Sequence, residues 1–431
     1  MPHTWRNWGH TVTAHPRQVI SPTSIEDVVH VVRRARADGA AVKAVGAGHS
    51  FSAIAAADDI QLDLSRMRGL VEVDVDRSRA TLRAGTWLHE IPELLEPHGL
   101  AMANLGDIDR QSLAGAISTG THGTGIRYGG MATQVVGATL VDGRGEVRTV
   151  TEFDPDLQAV AVGLGALGIL VDITLQCVPA FALHSVEQPK PIDAAIDEFT
   201  ADIAERDHYE FFWFPNTDVA YTKTNHRLPA DTPPVNTGRL RRWVDDELIG
   251  NQTLRALCAV TSAAPAVAPA IARGAVRLLG SQTFTDSSAR VFARPRTVRF
   301  REMEYAIPLD CAQEAVRRVR DMVERKGYRF IFPMEVRAAA ADDLMLSSAS
   351  GRASAYVAVH RYIRDHEDGY FDAVEQIMLD YAGRPHWGKM HTRDAAYLRT
   401  VYPRFDEFLA VRARFDPDAV FRNPHLTTVL G

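Results

Sequence analysis

Apolar residues recur at helical spacing through SPTSIEDVVHVVRRARADG (21–39), where Ser24 and Asp27 supply an N-terminal cap and Gly39 a stop. AAVKAVG (40–46) then reads as a strand, followed by a glycine turn and a second strand, DIQLDLS (59–65). LVEVDVDRSRATLRAG (70–85) alternates apolar and polar residues on either side of Asp76-Arg77-Ser78, the pattern of a hairpin. VVGATLVDGRGEVRTV (135–150) repeats that pattern around Asp142-Gly143. LHEIPELLEPHGL (88–100) and LQAVAVGLGALG (157–168) read as helices, and ILVDITLQCVP (169–179) is a strand that closes this α+β unit. After residue 180 the texture changes. YEFFWFP, RFIFPMEVRA and SAYVAVHRY are aromatic-rich strands mixed with helices such as AQEAVRRVRDMVERKG (312–327). They predict a second domain, an antiparallel sheet with helices on one face. The polar, three-proline stretch NHRLPADTPPVNTGR (225–239) reads as a loop or insertion.

The chain has 431 residues, 46% apolar and 24% charged, with a net charge of −6. That balance fits a soluble globular protein and argues against a nucleic-acid or anionic-membrane partner. Cys177, Cys258 and Cys311 stand apart from one another, which excludes a disulfide framework or thiolate zinc site and suits a reducing compartment. The polar start MPHTWRNWGH has no signal-peptide core. ALCAVTSAAPAVAPAIA (256–272), with two prolines, is short for a membrane span and reads as a surface helix or packed loop. Lysine is rare: Lys43, Lys190, Lys223, Lys326 and Lys389 are the only five among 48 basic residues. In such a chain a lysine is worth noting wherever a compact ammonium does what a guanidinium cannot.

VGAGHSFS (45–52) puts His49 at the tip of a Gly-x-Gly turn. Three readings compete. A dinucleotide fingerprint needs a third glycine, but Phe51 stands there, and the Asp58-Asp59 turn follows too soon for a crossover helix. A plain turn with an incidental histidine is the second reading. The third is a phosphate-binding loop whose neutral imidazole sits beside a flavin as a nucleophile. A second loop, STGTHGTG (118–125), sets Ser118, Thr119, Thr121 and Thr124 among Gly120, Gly123 and Gly125. Small hydroxyls and exposed N–H groups are what a buried diphosphate requires, and two such loops in one domain favour the third reading.

VGAGHSFS, NLGDIDRQSLAGAISTGTHGTG, EYAIP, FPMEVR, RPHWGKMH and DPDAVFRNPHLTTVLG together resemble the aldonolactone oxidoreductases. These are vanillyl-alcohol-oxidase-type (PCMH) flavoproteins that include bacterial L-gulono-1,4-lactone dehydrogenases and D-arabinono-1,4-lactone oxidases, with alditol oxidases as cousins. The resemblance spans nearly the whole chain. It implies an α+β fold: a two-part FAD-binding domain (1–180), a substrate cap domain (181–385) and a C-terminal segment (386–431) returning to the FAD domain. It implies that FAD is held by Gly46, Ala47, Gly48, His49, Ser50 and Phe51, with the cofactor bonded covalently to His49. Further cofactor positions are Gly106, Asp107, Ser112, Gly115, Ser118, Gly120, Thr121, His122, Gly123, Thr124, Gly125, Gly168, Ile169 and His386. His122 reads equally as a packed or capping histidine.

Glu335 and Arg337 lie two apart on a predicted strand, so a carboxylate and a guanidinium share one face. A structural salt bridge is the plain alternative; the resemblance places the pair on the substrate side of the flavin. In RPHWGKMH, His386 and His391 are five apart, a spacing that suits no single helix face, so no metal site is expected. Lys389 can stabilise negative charge near a flavin. The resemblance makes Glu335, Arg337 and Lys389 catalytic, with Ser112, His360, His386 and Trp387 as further substrate contacts; Trp387 reads equally as core, and Ser112 and His360 equally as structural polar groups. It implies oxidation of an aldono-1,4-lactone at C2 by hydride transfer to flavin N5, giving an ascorbate-type product. Electrons then pass to oxygen or a cytochrome-like acceptor, and Gly106 leaves room for oxygen. Xylitol or sorbitol oxidation is the alternative chemistry, and a non-catalytic dinucleotide-binding protein is the alternative class. The implied location is the cytoplasm, free or docked on a membrane surface.

Overall fold

Ser24 caps the first helix as its side chain accepts the Asp27 amide while Asp27 answers the Ser24 amide, and Gly39 ends it with φ 66°. The computed structural model describes residues 3–236, 252–294 and 296–431. This helix, α1 (Ile25–Asp38), links strand β1 (Gln18–Ile20) to β2 (Val42–Val45), and β3 (Ile60–Asp63) pairs in parallel between those strands. A second, antiparallel sheet is built from β4 (Leu70–Asp74), β5 (Arg79–Arg83), β6 (Val135–Val141), β7 (Val147–Thr151) and β8 (Ile169–Gln176), in the order β7-β6-β8-β5-β4. A short helix, Leu113–Ser118, precedes β6. Both predicted hairpins form. The helix expected over 157–168 is confined to Leu157–Val160, because Gly163, Gly165 and Gly168 follow and Gly165 takes φ 60°.

The remaining strands form one eight-stranded antiparallel sheet. They are β9 (Phe181–Pro191), β10 (His208–Trp213), β11 (Val219–Pro229), β12 (Gln282–Ser287), β13 (Phe300–Pro308), β14 (Met334–Ala339), β15 (Ser354–Tyr362) and β16 (Arg384–Pro385). Their order is β12-β9-β11-β10-β14-β15-β13-β16. Residues Asn225–Pro229, read from sequence as loop, are the end of β11 paired with β9, since pairing along the full strand outweighs their polar character. Residues 237–239 of that stretch lie outside the described residues. The strand expected from Arg329 begins only at Met334, after Pro333. Residues 256–272 fall in two helices, Thr253–Ala263 and Ala268–Val276, bent by 120°. Among the described residues no single helix is long and apolar enough to cross a membrane.

After β16 the chain leaves the sheet. Trp387 and three helices, Ala395–Val401, Phe405–Phe415 and Pro424–Leu430, join the same apolar core as α1 and β8. Asn423 fastens this return: its Nδ2 donates to the carbonyls of Ala53, Ile54 and Ala56 while its Oδ1 accepts the Leu426 amide. Trp387 is buried and its indole N–H donates to the Leu346 carbonyl. Trp387→Ala is expected to cost about 3–5 kcal/mol from the cavity left behind; a urea titration with an unmoved midpoint would contradict this.

Candidate active site

β2 ends at Val45, and the next three residues can only be small. A Cβ on Gly46 would lie 2.1 Å from Ser112 Oγ, and Gly48 has φ 70°. The turn therefore brings Ser112 against the first loop and delivers His49 to its edge. His49 stacks on Trp8, ring centroids 5.3 Å apart. Asn7 Nδ2 donates to the Ser50 carbonyl and Thr11 Oγ1 to the Phe51 carbonyl, so the N-terminal segment pins the loop from one side. From the other side the Phe51 amide donates to the Gly388 carbonyl (2.6 Å) and Ser52 Oγ to the Trp387 carbonyl (2.8 Å). Burial, aided by the Lys389 ammonium, pulls the His49 imidazole down from 6.5 to about 4, so it is neutral and nucleophilic at physiological pH.

A cavity of about 350 Å³ opens beside this loop. Gly46, Ala47, Gly48, His49, Ser50, Ser112, Gly115, Ser118 and Gly168 line it, as the sequence suggested for cofactor positions. So do Lys43, Gln61, Trp87 and Gln111, which the sequence reading missed. Lys43 is buried, and its ammonium donates to the Gly165 carbonyl; burial, with help from Arg412, draws it down to about 7.

Several proposed cofactor positions do not line this cavity: Phe51, Gly106, Asp107, Gly120, Thr121, His122, Gly123, Thr124, Gly125, Ile169 and His386. The second loop turns instead toward the cap sheet. The Gly125 amide donates to the Ala338 carbonyl and Thr124 Oγ1 to the Tyr209 carbonyl. A Cβ on Gly106 would lie 3.1 Å from the His122 carbonyl, so loop backbone fills the space beside it. His122 is buried and stacks on Tyr356; its Nδ1 faces the Gly123 carbonyl and its Nε2 the Glu304 carboxylate at 3.1 Å. Both facing groups are oxygen acceptors, so the ring clamps the loop to β13. His386 closes on the same pair, its ligand atom within 4.8 Å of those of His122 and Glu304. Its Nδ1 accepts the Gly388 amide, which leaves the proton on Nε2, and its burial holds it neutral at about 3.

Strand register puts Glu210, Lys223, Glu302, Glu304, Glu335, Arg337 and His360 on one face of the cap sheet. Arg337 is the hub: it touches Glu335, Glu210 (2.7 Å) and Asp107 (3.0 Å). Lys223 bridges Glu210 (3.0 Å) and Asp107 (3.5 Å), and Arg296 reaches Asp107 at 3.3 Å. Three cations thus occupy the space among Asp107, Glu210 and Glu335 that a metal would need. Burial pushes the Asp107 carboxyl up, yet Lys223 and Arg337 outweigh it and hold the group ionised. Glu335 goes the other way. Burial, with Asp107 and Glu210 nearby, outweighs Arg337 and keeps its carboxyl far above the usual range. Its Oε1 sits against the guanidinium without an aligned N–H donor. Lys389 pairs with Glu302, and Glu302 lies 3.5 Å from His360 Nε2. Despite its burial, Glu302 is drawn down to about 2 by Lys389 and His360. His360 Nδ1 donates to the Pro333 carbonyl, which leaves its Nε2 turned toward Glu302. Trp387 is not on this face; it is core.

Two glycine-studded loops over an antiparallel cap sheet define a flavoprotein architecture. Cholesterol oxidase from B. sterolicum shares the fold, with a TM-score of 0.85 at 18% identity over 100% of this chain and 97% of that one. An FAD binding domain family model matches residues 16–151 and a D-arabinono-1,4-lactone oxidase family model residues 173–429. The chain is 41% identical to an L-gulono-1,4-lactone dehydrogenase of Mycobacterium tuberculosis, over 99% of both chains. It is 32% identical to the L-gulonolactone oxidase of Bos taurus, over 99% of this chain and 98% of the relative. The chain belongs to the D-arabinono-1,4-lactone oxidase family and is an FAD-dependent oxidoreductase.

The residues present fit the cofactor. Gln61 Oε1 is buried without a partner on the cavity wall, waiting for a donor, and Ser50, Ser112 and Ser118 bring hydroxyls to the same space. Stability should fall in acid, and the sign follows from the histidines. His49, His208 and His386 stay neutral down to about 4, 4 and 3 because they are buried, whereas unfolded imidazole titrates near 6.5. Between those values the unfolded chain binds more protons, so lowering the pH from about 6.5 to about 4 destabilises the fold. A Tm that holds constant across that window would contradict the assignment.

Proposed function

We propose that the protein oxidises an aldono-1,4-lactone of the L-gulono type at C2, using FAD bound covalently through His49. The observation that carries this reading is the convergence on one site of neutral His49, Lys389 clamped by Glu302, and Glu335 beside Arg337. FAD supplies the hydride acceptor. The chain does the rest. Glu335, its carboxyl pushed up by burial and its Oε1 lacking an aligned donor among the described residues, orients the sugar hydroxyls, while Arg337 is fixed by Asp107 and Glu210. The Lys389 ammonium stabilises the developing alkoxide, and the hydroxyl proton leaves through the Lys389–Glu302–His360 group. Burial of this face excludes water from the reacting carbon.

The neutral imidazole at 49 supports a covalent link, since only the free base attacks an activated flavin methyl. Oxygen or a cytochrome-type protein is the proposed final acceptor. Free, unpaired cysteines support a cytoplasmic location. Val260, Val267 and Leu278, exposed on and beside the bent helix pair, support contact with a membrane surface.

Two measurements test the reading. L-gulono-1,4-lactone should bleach the flavin absorbance anaerobically; bleaching by xylitol and not by the lactone would assign a polyol oxidase instead. Lys389→Met should slow that bleaching about 100-fold while leaving the fold intact. Acid-precipitated protein should keep its yellow colour in the pellet, and His49→Ala should release it to the supernatant. A colourless wild-type pellet would rule out the covalent link.

A further inference from the structure

A second cavity, about 330 Å³, lies behind the flavin loop. Phe51, Ser52 and Ala53 line it, as do Met390, His391 and Thr392, so the segments that carry His49 and Lys389 separate the two spaces. An aromatic path crosses that partition: His49 stacks on Trp8, and Trp8 meets the Phe51 ring edge-on at 6.1 Å.

The second cavity holds unmet hydrogen-bond donors. Arg301 Nε, Tyr370 OH, His391 Nε2 and His425 Nε2 are buried atoms of lining residues with no partner among the described residues. Tyr370 is 2% exposed. His391 Nδ1 accepts the Arg393 amide, so its Nε2 carries the ring proton. Burial keeps His391 and His425 near 4, so both rings are neutral and His391 Nε2 is a donor. Three of the carboxylates in the cavity are already engaged. Glu375 receives Tyr305, Thr392 and Arg393, Glu367 pairs with Arg301, and Asp368 with Arg361. A polyol would therefore bring hydroxyl protons to engaged carboxylates, and a phosphate would meet Glu367, Asp368, Asp372 and Glu375. The walls include Phe51, Met303, Phe371 and Met390. An uncharged ligand with an apolar body and carbonyl oxygens satisfies both donors and walls.

We propose that this cavity binds a small quinone-type diketone, which serves as electron acceptor for the oxidation. The proposal rests on the reading above for its source of electrons. The balance closes: the alcohol loses two electrons and two protons to become a ketone, and the diketone gains two electrons and two protons to become a hydroquinone.

The test uses the yellow full-length protein and 2,3-dimethoxy-5-methyl-1,4-benzoquinone. Calorimetry should show saturable binding of one quinone per chain. His391→Phe combined with His425→Phe removes both Nε2 atoms at similar volume and should weaken binding about ten-fold. Ala53→Phe, which fills the cavity, serves as the second variant should the first fail to fold. In both, bleaching by lactone should be unchanged, reoxidation by the quinone about ten-fold slower and reoxidation by ferricyanide unaltered. No saturable binding to the wild type, equal affinity in both variants, or displacement of the quinone by lactone would overturn the proposal. Quinone binding by a protein that lactone fails to bleach would sink the lactone reading and leave the binding assignment standing.

Discussion

Two hydrogen bonds hold the site together: the Phe51 amide to the Gly388 carbonyl and Ser52 Oγ to the Trp387 carbonyl. They join residues more than 330 positions apart. His49 precedes one end of this tie by two residues, and Lys389 follows the other by one. The imidazole and the ammonium are therefore positioned by the same contact, and the Lys389 charge lowers the His49 imidazole through it. The tie is anchored by burial. Trp387 sits in the core shared with α1 and β8, so sliding the C-terminal segment would open a cavity the size of an indole. The return of the chain to its own N-terminal half fixes both side chains.

The charged face of the cap sheet obeys a related constraint. Carboxylates at 107, 210, 302, 304 and 335 would repel one another if all were ionised and unpaired. Cations meet most of them: Arg337, Lys223 and Arg296 serve Asp107 and Glu210, Arg337 also touches Glu335, and Lys389 serves Glu302, while the His122 ring faces Glu304. Glu335 is the one whose carboxyl burial and its acidic neighbours push up, even though it touches Arg337. The same pairing docks the second glycine loop, because the clamp on Glu304 is a residue of that loop.

Local signals made part of this legible. The cap at Ser24, the tight turn at Gly46–His49 and the shared face of Glu335 and Arg337 each depend on residues within a few positions. Glu210, Lys223 and Glu302 do not. Their role depends on which strands neighbour β14, a register that no local pattern specifies. A usable signal was present all the same: charged residues at alternate positions of HYEFFW and FREMEYAIP, strands otherwise apolar, and a lysine at 223 in an arginine-rich chain. Of the five lysines, Lys43 lines the flavin cavity, Lys223 braces Arg337 and Lys389 meets Glu302. The second loop serves two neighbours at once. Its hydroxyls and glycines match a phosphate cradle in composition, yet beyond Thr119 its groups are taken up by the edge of the cap sheet.

That diversion has a structural logic. Ser118 and Thr119 still line the cavity, while Gly125, six residues on, bonds to the end of β14. The stretch between must cross from one domain to the other in few residues, and glycines at 120, 123 and 125 permit it. A Cβ on Gly123 would strike the Leu105 carbonyl at 2.2 Å, and Gly125 takes φ 128°. The loop is thus a hinge pin as much as a cofactor loop. The His122–Glu304 contact beside it ties the loop to β13, the strand that carries Glu302 to Lys389.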